Sequence, residues 1–178
     1  MSDIKYMPNF KFTDFINSLE FTHKFKESGR MAIYFGTHDY EYNGGFHKAA
    51  PLHLNAYYIH SMFSFISRAF PSFMLNSCLV NYYPNLNSAI PFHADNEKCI
   101  DKESHIVTLS LGETRTMIFR PIDPNLRDNH VSVALKNGDI LIFSRTSQDF
   151  FFHGIPPSRL DPTNSPRPRV SLTFRKIV

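Results

Sequence analysis

The sequence predicts an α+β domain, with a helical first third packed on an antiparallel β barrel or sandwich. Three observations carry this. Apolar residues recur at helical spacing twice before residue 70. From about residue 77 the chain breaks into short β-prone runs separated by Pro, Gly and Asn-Gly signals. The 178 residues, 42% hydrophobic and including eighteen Phe, suffice for one sizeable core, and no linker divides them.

The elements follow in order. FKFTDFINSLEFTHKFKE (10–27) places Phe12, Phe15, Ile16 and Leu19 at helical spacing. YFGTHDYEYNGG (34–45), rich in Tyr and Gly, is expected as a loop or a short hairpin. NAYYIHSMFSFISRAF (55–70) sets Ile59, Met62, Phe63 and Ile66 on one helical face, and Pro71 helps end it. CLVNYY (78–83) is a strand stopped by Pro84. HIVTLSLG (105–112) and TRTMIFRP (114–121) flank a turn near Gly112. VSVALKNGDILIFS (131–144) gives the clearest hairpin signal, two β-prone runs meeting at Asn137-Gly138. FFFHG (150–154) is another short strand, and RVSLTFRKIV (169–178) closes the chain as an alternating one. Between these two, the five prolines of IPPSRLDPTNSPRPR block regular pairing and predict a loop.

Composition excludes several classes. No apolar stretch is long enough to span a bilayer, and MSDIKYMPNFKF lacks the apolar core of a signal peptide. Two cysteines, Cys78 and Cys99, make no disulfide framework, so a reducing compartment is expected. A net charge of +3 permits a phosphate-bearing partner without demonstrating one, and there is no Lys/Arg block and no nucleic-acid zinc motif.

The chemistry centres on PFHADNE (91–97). His93 and Asp95 stand one residue apart, a spacing that fits a metal site or an ordinary surface turn. A mononuclear iron(II) oxygenase needs two imidazoles and one carboxylate on one face of an octahedron, with the other positions open. The third ligand can come from a neighbouring strand. His153 in FFFHGIPP is the best candidate, and Gly154 after it would allow a sharp exit. His105 is the nearest rival. Arg169 and Arg175 lie six residues apart on the last strand, so both side chains share one face. Buried there, they require an anion, and a dicarboxylate would serve. Six strand residues span roughly 20 Å, too far for both to grip one five-carbon acid unless the side chains lean together or one supports the metal aspartate. Two surface arginines near a C-terminus remain the alternative.

Taken together, NSCLVNYYPNLNSAIPFHADNE, HIVTLSLG, LKNGDILIFS, FFFHGIPP and PRVSLTFR closely resemble the AlkB family of Fe(II)- and 2-oxoglutarate-dependent dioxygenases. The flavour is that of the AlkB domain in replicase polyproteins of plant-infecting RNA viruses. The likeness covers about residues 30–178. It implies a double-stranded β-helix (jelly-roll) core at 76–178, with helices and a nucleotide-recognition lid at 1–75. It implies Fe(II), 2-oxoglutarate and O2, with His93, Asp95 and His153 as iron ligands. Asn81 and Tyr83 match contacts to 2-oxoglutarate. Arg175 matches the arginine of its distal carboxylate, and Arg169 the arginine near its proximal carboxylate and the metal aspartate. Tyr40 and Tyr42 fall in the lid over the substrate base, Glu97 at an acidic position near that base, and Phe143 at an aromatic stacking position. The implied reaction is oxidative removal of N-methyl groups from nucleobases in methylated RNA or single-stranded DNA. The implied setting is a monomeric domain excised from a larger polyprotein of the host cytoplasm. Another oxygenase of the same fold acting on protein or a small molecule, or an inactive RNA-binding module, are the alternatives. Two departures stand out: Ser171 replaces a cosubstrate-contacting Asn, and the chain has no Trp for base stacking.

Overall fold

The computed structural model describes residues 10–42, 45–50, 57–158 and 165–178, with the backbone alone for 40–42 and 45–47. Twelve strands and two α-helices are described. The last eight strands make the core: β5 (Ser77–Asn85), β6 (Ile90–His93), β7 (His105–Gly112), β8 (Arg115–Pro121), β9 (Val131–Leu135), β10 (Ile140–Ser144), β11 (Phe151–Ile155) and β12 (Pro166–Arg175). Successive strands alternate between two antiparallel sheets, save that β8 and β9 stay together. The larger sheet runs β5-β12-β7-β10 and the smaller β6-β11-β8-β9, the winding of a jelly roll. The first third adds β1 (His23–Phe25) and β2 (Arg30–Gly36), which extend the larger sheet beyond β5.

Each core strand of the larger sheet is apolar on its outer face. Val80, Val107, Leu109, Leu111, Val170, Leu172 and Phe174 pack there against Phe15, Ile59, Met62 and Ile66 of helices α1 (Phe12–Asn17) and α2 (Tyr57–Ala69). The inner face is different. Tyr83 of the larger sheet meets Ile90, Met117, Leu135 and Ile155 of the smaller one at one end. Towards the other end, Asn81, Thr108, Ser171 and Thr173 put polar groups into the interior. Burying that many polar groups costs stability unless they are paired or meet a ligand.

Several expectations change. The helical spacing of 10–27 yields only the short α1, whose last turn Ser18 closes by donating its hydroxyl to the Phe15 carbonyl at 2.7 Å. Beyond Leu19 the chain serves the sheet instead, because Met31–Phe35 is apolar on both faces and fits between helix and interior. The segment 34–45 is partly the end of β2 and partly one arm of a hairpin of β3 (Tyr40–Tyr42) with β4 (Gly45–His47). Strand β5 runs through Pro84, which lies past Tyr82, its last residue paired with β2. The 131–144 stretch turns at Asn137-Gly138 but is no hairpin: β9 pairs with β8, and β10 with β7. Gly138 takes φ +88° while Asn137 stays at negative φ, so the hairpin turn with two positive φ values does not form. The turn docks on β7 instead, where Gly138 N–H donates to Ser110 O at 2.7 Å and Asn137 Oδ1 accepts from Gly112 N–H at 2.9 Å. Finally, Pro166 and Pro168 belong to β12, where a bulge before Arg169 absorbs them.

Candidate active site

Strand pairing builds the site. His93, the last residue of β6, lies directly opposite His153 of β11. Cross-strand partners share a face, so both rings point inward, their centroids 4.3 Å apart. The chain then turns and brings Asp95 to the same point. One ligand atom from each of His93, Asp95 and His153 lies within 4.8 Å of the others. His105 is elsewhere, half-buried and stacked on Phe73 at 4.2 Å.

Each ligand is oriented by a partner. His93 Nδ1 donates to the Pro91 carbonyl at 2.8 Å, which leaves Nε2 as the ring's lone-pair nitrogen. That Nε2 stands 3.5 Å from Asp95 Oδ1. Asp95 is fully buried. Its Oδ2 accepts from Arg175 Nε at 3.1 Å and Nη2 at 2.5 Å. Its Oδ1 has no hydrogen-bond partner among the described residues. Burial alone would push this carboxyl up, but the Arg175 guanidinium beside it holds it well below the usual carboxylate range. Burial pulls His153 down to about 3, the Asp95 charge opposing, so its imidazole is neutral near pH 7. Two imidazoles and one ionised carboxylate, with an orphaned carboxylate oxygen among them, fit an iron(II) ion on one octahedral face.

The other end of the interior is cationic. Arg169 is fully buried, its Nε donating to Ser110 Oγ at 3.0 Å. Its Nη1 and Nη2 have no hydrogen-bond partner among the described residues. Tyr83 lies beside it, ring centroid 5.1 Å from the guanidinium carbon. Arg115 approaches the same ring at 5.8 Å, but its Nη groups are engaged by the Asn85, Ser88 and Pro156 carbonyls. The cavity beside the triad is walled by Leu79, Asn81, Thr108, Ser171 and Thr173, and by Tyr83, whose ring adjoins Arg169. An unpaired buried guanidinium suits a carboxylate of a bound ligand.

This geometry differs from the one the resemblance implied for the two arginines. Arg175 supports the metal aspartate, and Arg169 has the open donors. Register explains it: Arg175 sits opposite Ser77 at the metal end of β5, while Arg169 sits opposite Tyr83, six residues away. Gly154 is also not an exit. It lies within β11, and an added Cβ would meet Ile90 O at 3.0 Å and Phe92 N at 3.1 Å. The space it leaves lets Phe92 cross to Arg120, whose guanidinium lies 3.7 Å over the ring.

The remaining expected residues fall as follows. Phe143 is half-buried, 5.4 Å from the His153 ring and edge-on to Phe119. Glu97 is half-buried beside the triad, its carboxyl pushed up by burial and by the Asp95 charge. The side chains of Tyr40 and Tyr42 lie outside the described residues. Nothing in the sequence pattern marks Gln148 and Arg145. Yet Gln148 Oε1 accepts from Asp95 N–H at 3.2 Å and Arg145 Nη2 donates to the Asn96 carbonyl at 3.0 Å, pinning the metal loop. Both sit in a 3-10 turn, Arg145–Asp149, just before β11, where no periodicity reveals a facing direction.

Comparison with known proteins agrees with this geometry. The family model described as the 2OG-Fe(II) oxygenase superfamily matches residues 19–175. The human alpha-ketoglutarate-dependent dioxygenase alkB homolog 3 is 32% identical over 108 residues, 57% of this chain and 36% of that protein. The bovine DNA oxidative demethylase ALKBH2 is 31% identical over 108 residues, 58% of this chain and 37% of that protein. The chain thus spans little more than a third of these relatives' length. Replicase protein 1a of grapevine leafroll-associated virus 3 is 28% identical over 169 residues, 92% of this chain and 6% of the replicase. The structure of OsALKBH1 superposes with TM-score 0.55 at 21% identity, over 88% of this chain and 84% of that one, a likeness of fold. By the span of the family match, the chain belongs to the 2OG-Fe(II) oxygenase superfamily, and AlkB homologues are among the proteins it is similar to.

Proposed function

We propose that this domain is an Fe(II)- and 2-oxoglutarate-dependent oxygenase that removes N-methyl groups from nucleobases in single-stranded RNA, as one domain of a viral replicase in the host cytoplasm. The observation that carries the reading is the His93–Asp95–His153 cluster opening on a polar cavity, with the open guanidinium of Arg169 beside Tyr83, which lines the same cavity. Iron(II), 2-oxoglutarate and dioxygen, when bound, supply the oxidation that turns the methyl into formaldehyde as the cosubstrate becomes succinate and carbon dioxide.

The chain's residues supply place and charge. His93 and His153 present imidazole nitrogens and Asp95 its Oδ1, with Arg175 keeping that carboxyl ionised. Arg169 receives the distal carboxylate, with Tyr83 and Ser110 fixing the guanidinium. Phe143, beside His153, offers a ring to the target base. Glu97 supplies a carboxyl near a cationic methylated base such as N1-methyladenine or N3-methylcytosine. Single strands are favoured because a base leaves the stack there at least cost. The RNA reading draws on the viral replicase relative, and the demethylation reading on the name carried by ALKBH2.

The test offers N1-methyladenine in matched single-stranded RNA, duplex RNA and single-stranded DNA to the Fe(II)-loaded domain and weighs the products. Loss of one CH2 mass from single-stranded RNA, with formaldehyde equal to succinate, is expected. Succinate without any mass loss would overturn the nucleobase reading.

A further inference from the structure

Asn81 lines the cavity that opens on the triad. Its amide has a donor end and an acceptor end, and the end facing the cavity decides what it can bind. Arg30, the first residue of β2, settles that choice. Arg30 Nη1 donates to Asn81 Oδ1. A guanidinium carries donors only, so this contact admits one amide orientation, Oδ1 toward Arg30 and Nδ2 turned away from it.

Arg30 is itself fixed. It is 3% exposed, and its guanidinium lies 3.9 Å over the Phe25 ring. Strand register sets up the chain of contacts: Phe25 stands opposite Arg30, and Ala32, two residues on, stands opposite Asn81. Among the described residues no carboxylate pairs with Arg30, and its Nε is buried without a partner. A buried guanidinium without a counter-charge costs stability, so a packing role alone leaves its presence unexplained.

We propose that Arg30 is a positioning residue for the cosubstrate: it locks the Asn81 amide so that Nδ2 donates to a carboxylate or keto oxygen of the bound 2-oxo acid. The proposal rests on the cosubstrate reading above. Arg30 acts through Asn81, and none of its hydrogen bonds among the described residues goes to His93, Asp95 or His153.

The test is calorimetric titration of 2-oxoglutarate into Mn(II)-loaded protein without oxygen, so that no turnover is involved. Arg30→Leu is expected to weaken 2-oxoglutarate about tenfold, the size of one hydrogen bond to a charged group, with Mn(II) affinity unchanged. In an Asn81→Ala background the same change adds almost nothing, because the effect runs through the amide. Should Arg30→Leu fail to fold, Arg30→Lys and Arg30→Gln decide. Lysine also only donates and is expected to keep affinity within about threefold, whereas glutamine can accept from Nδ2, release the amide and lose about tenfold. Equal affinity of the wild type, Leu and Gln variants, whatever their melting temperatures, would overturn the proposal. Absence of 2-oxoglutarate binding by the wild type would overturn the cosubstrate reading itself, and the proposal with it.

Discussion

Replacing Arg175 by methionine strips Asp95 of the guanidinium that donates to it from Nε at 3.1 Å and Nη2 at 2.5 Å. Asp95 is fully buried, so the carboxylate left behind has neither water nor that cation. Breaking a buried pair by removing one partner costs about 3–5 kcal/mol. In a domain of this size each kcal/mol moves the melting temperature by roughly 2–4 °C, so a loss of about 4 kcal/mol lowers it by roughly 8–16 °C. Calorimetry of the metal-free protein near neutral pH measures this. The double variant Asp95→Asn/Arg175→Met removes both charges together and is expected to recover a large part of the loss. Mn(II) restores more stability to Arg175→Met than to the wild type, because the ion supplies the missing positive charge. A melting temperature within about 2 °C of wild type, or a double variant whose loss is the plain sum of the singles, would refute the reasoning.

Three further outcomes follow from the same geometry. His153 has its pKa lowered to about 3, so between that pH and the unfolded value of about 6.5 the unfolded chain binds a proton that the native one does not. Its contribution therefore falls as pH drops from about 6.5, by up to about 1.4 kcal/mol per unit, and Asp95 adds the same sign only below about 4. Urea unfolding of metal-free protein at several pH values checks this, and His153→Gln flattens the profile. Arg169→Met removes the open Nη donors and is expected to weaken 2-oxoglutarate by about a hundredfold or more, two charge-assisted bonds, while leaving Mn(II) binding intact by titration. Gly154→Ala forces a methyl against Ile90 O at 3.0 Å and Phe92 Cα at 3.2 Å, backbone that cannot swing aside, and costs about 1–3 kcal/mol in denaturant unfolding.

The metal triad was legible because its chemistry is local in part: His93 and Asp95 are two residues apart, and His153 follows a run of β-prone Phe. Alternation also placed Arg169 and Arg175 on one interior face, since a period of two fixes which side a residue occupies. What period two leaves open is the partner. The runs on either side of Asn137-Gly138 carry a hairpin's composition, yet each pairs with a strand brought from elsewhere in the jelly roll. The same gap hid the division of labour between the arginines, which depends on Arg175 meeting Ser77 and Arg169 meeting Tyr83 across β5. Helical spacing at 10–27 competed with a tertiary demand for strands at the sheet edge and lost. Arg30 and Gln148 act through single long-range hydrogen bonds, to Asn81 and to the Asp95 backbone, and such bonds leave no periodic trace.

The most direct test is a crystal structure of the domain with Mn(II) and 2-oxoglutarate, grown without oxygen. The metal is expected on His93, Asp95 and His153, with the distal carboxylate of 2-oxoglutarate on the Nη groups of Arg169 and Arg175 still on Asp95. A distal carboxylate seated on Arg175, or a metal bound away from His93 and His153, would contradict the account.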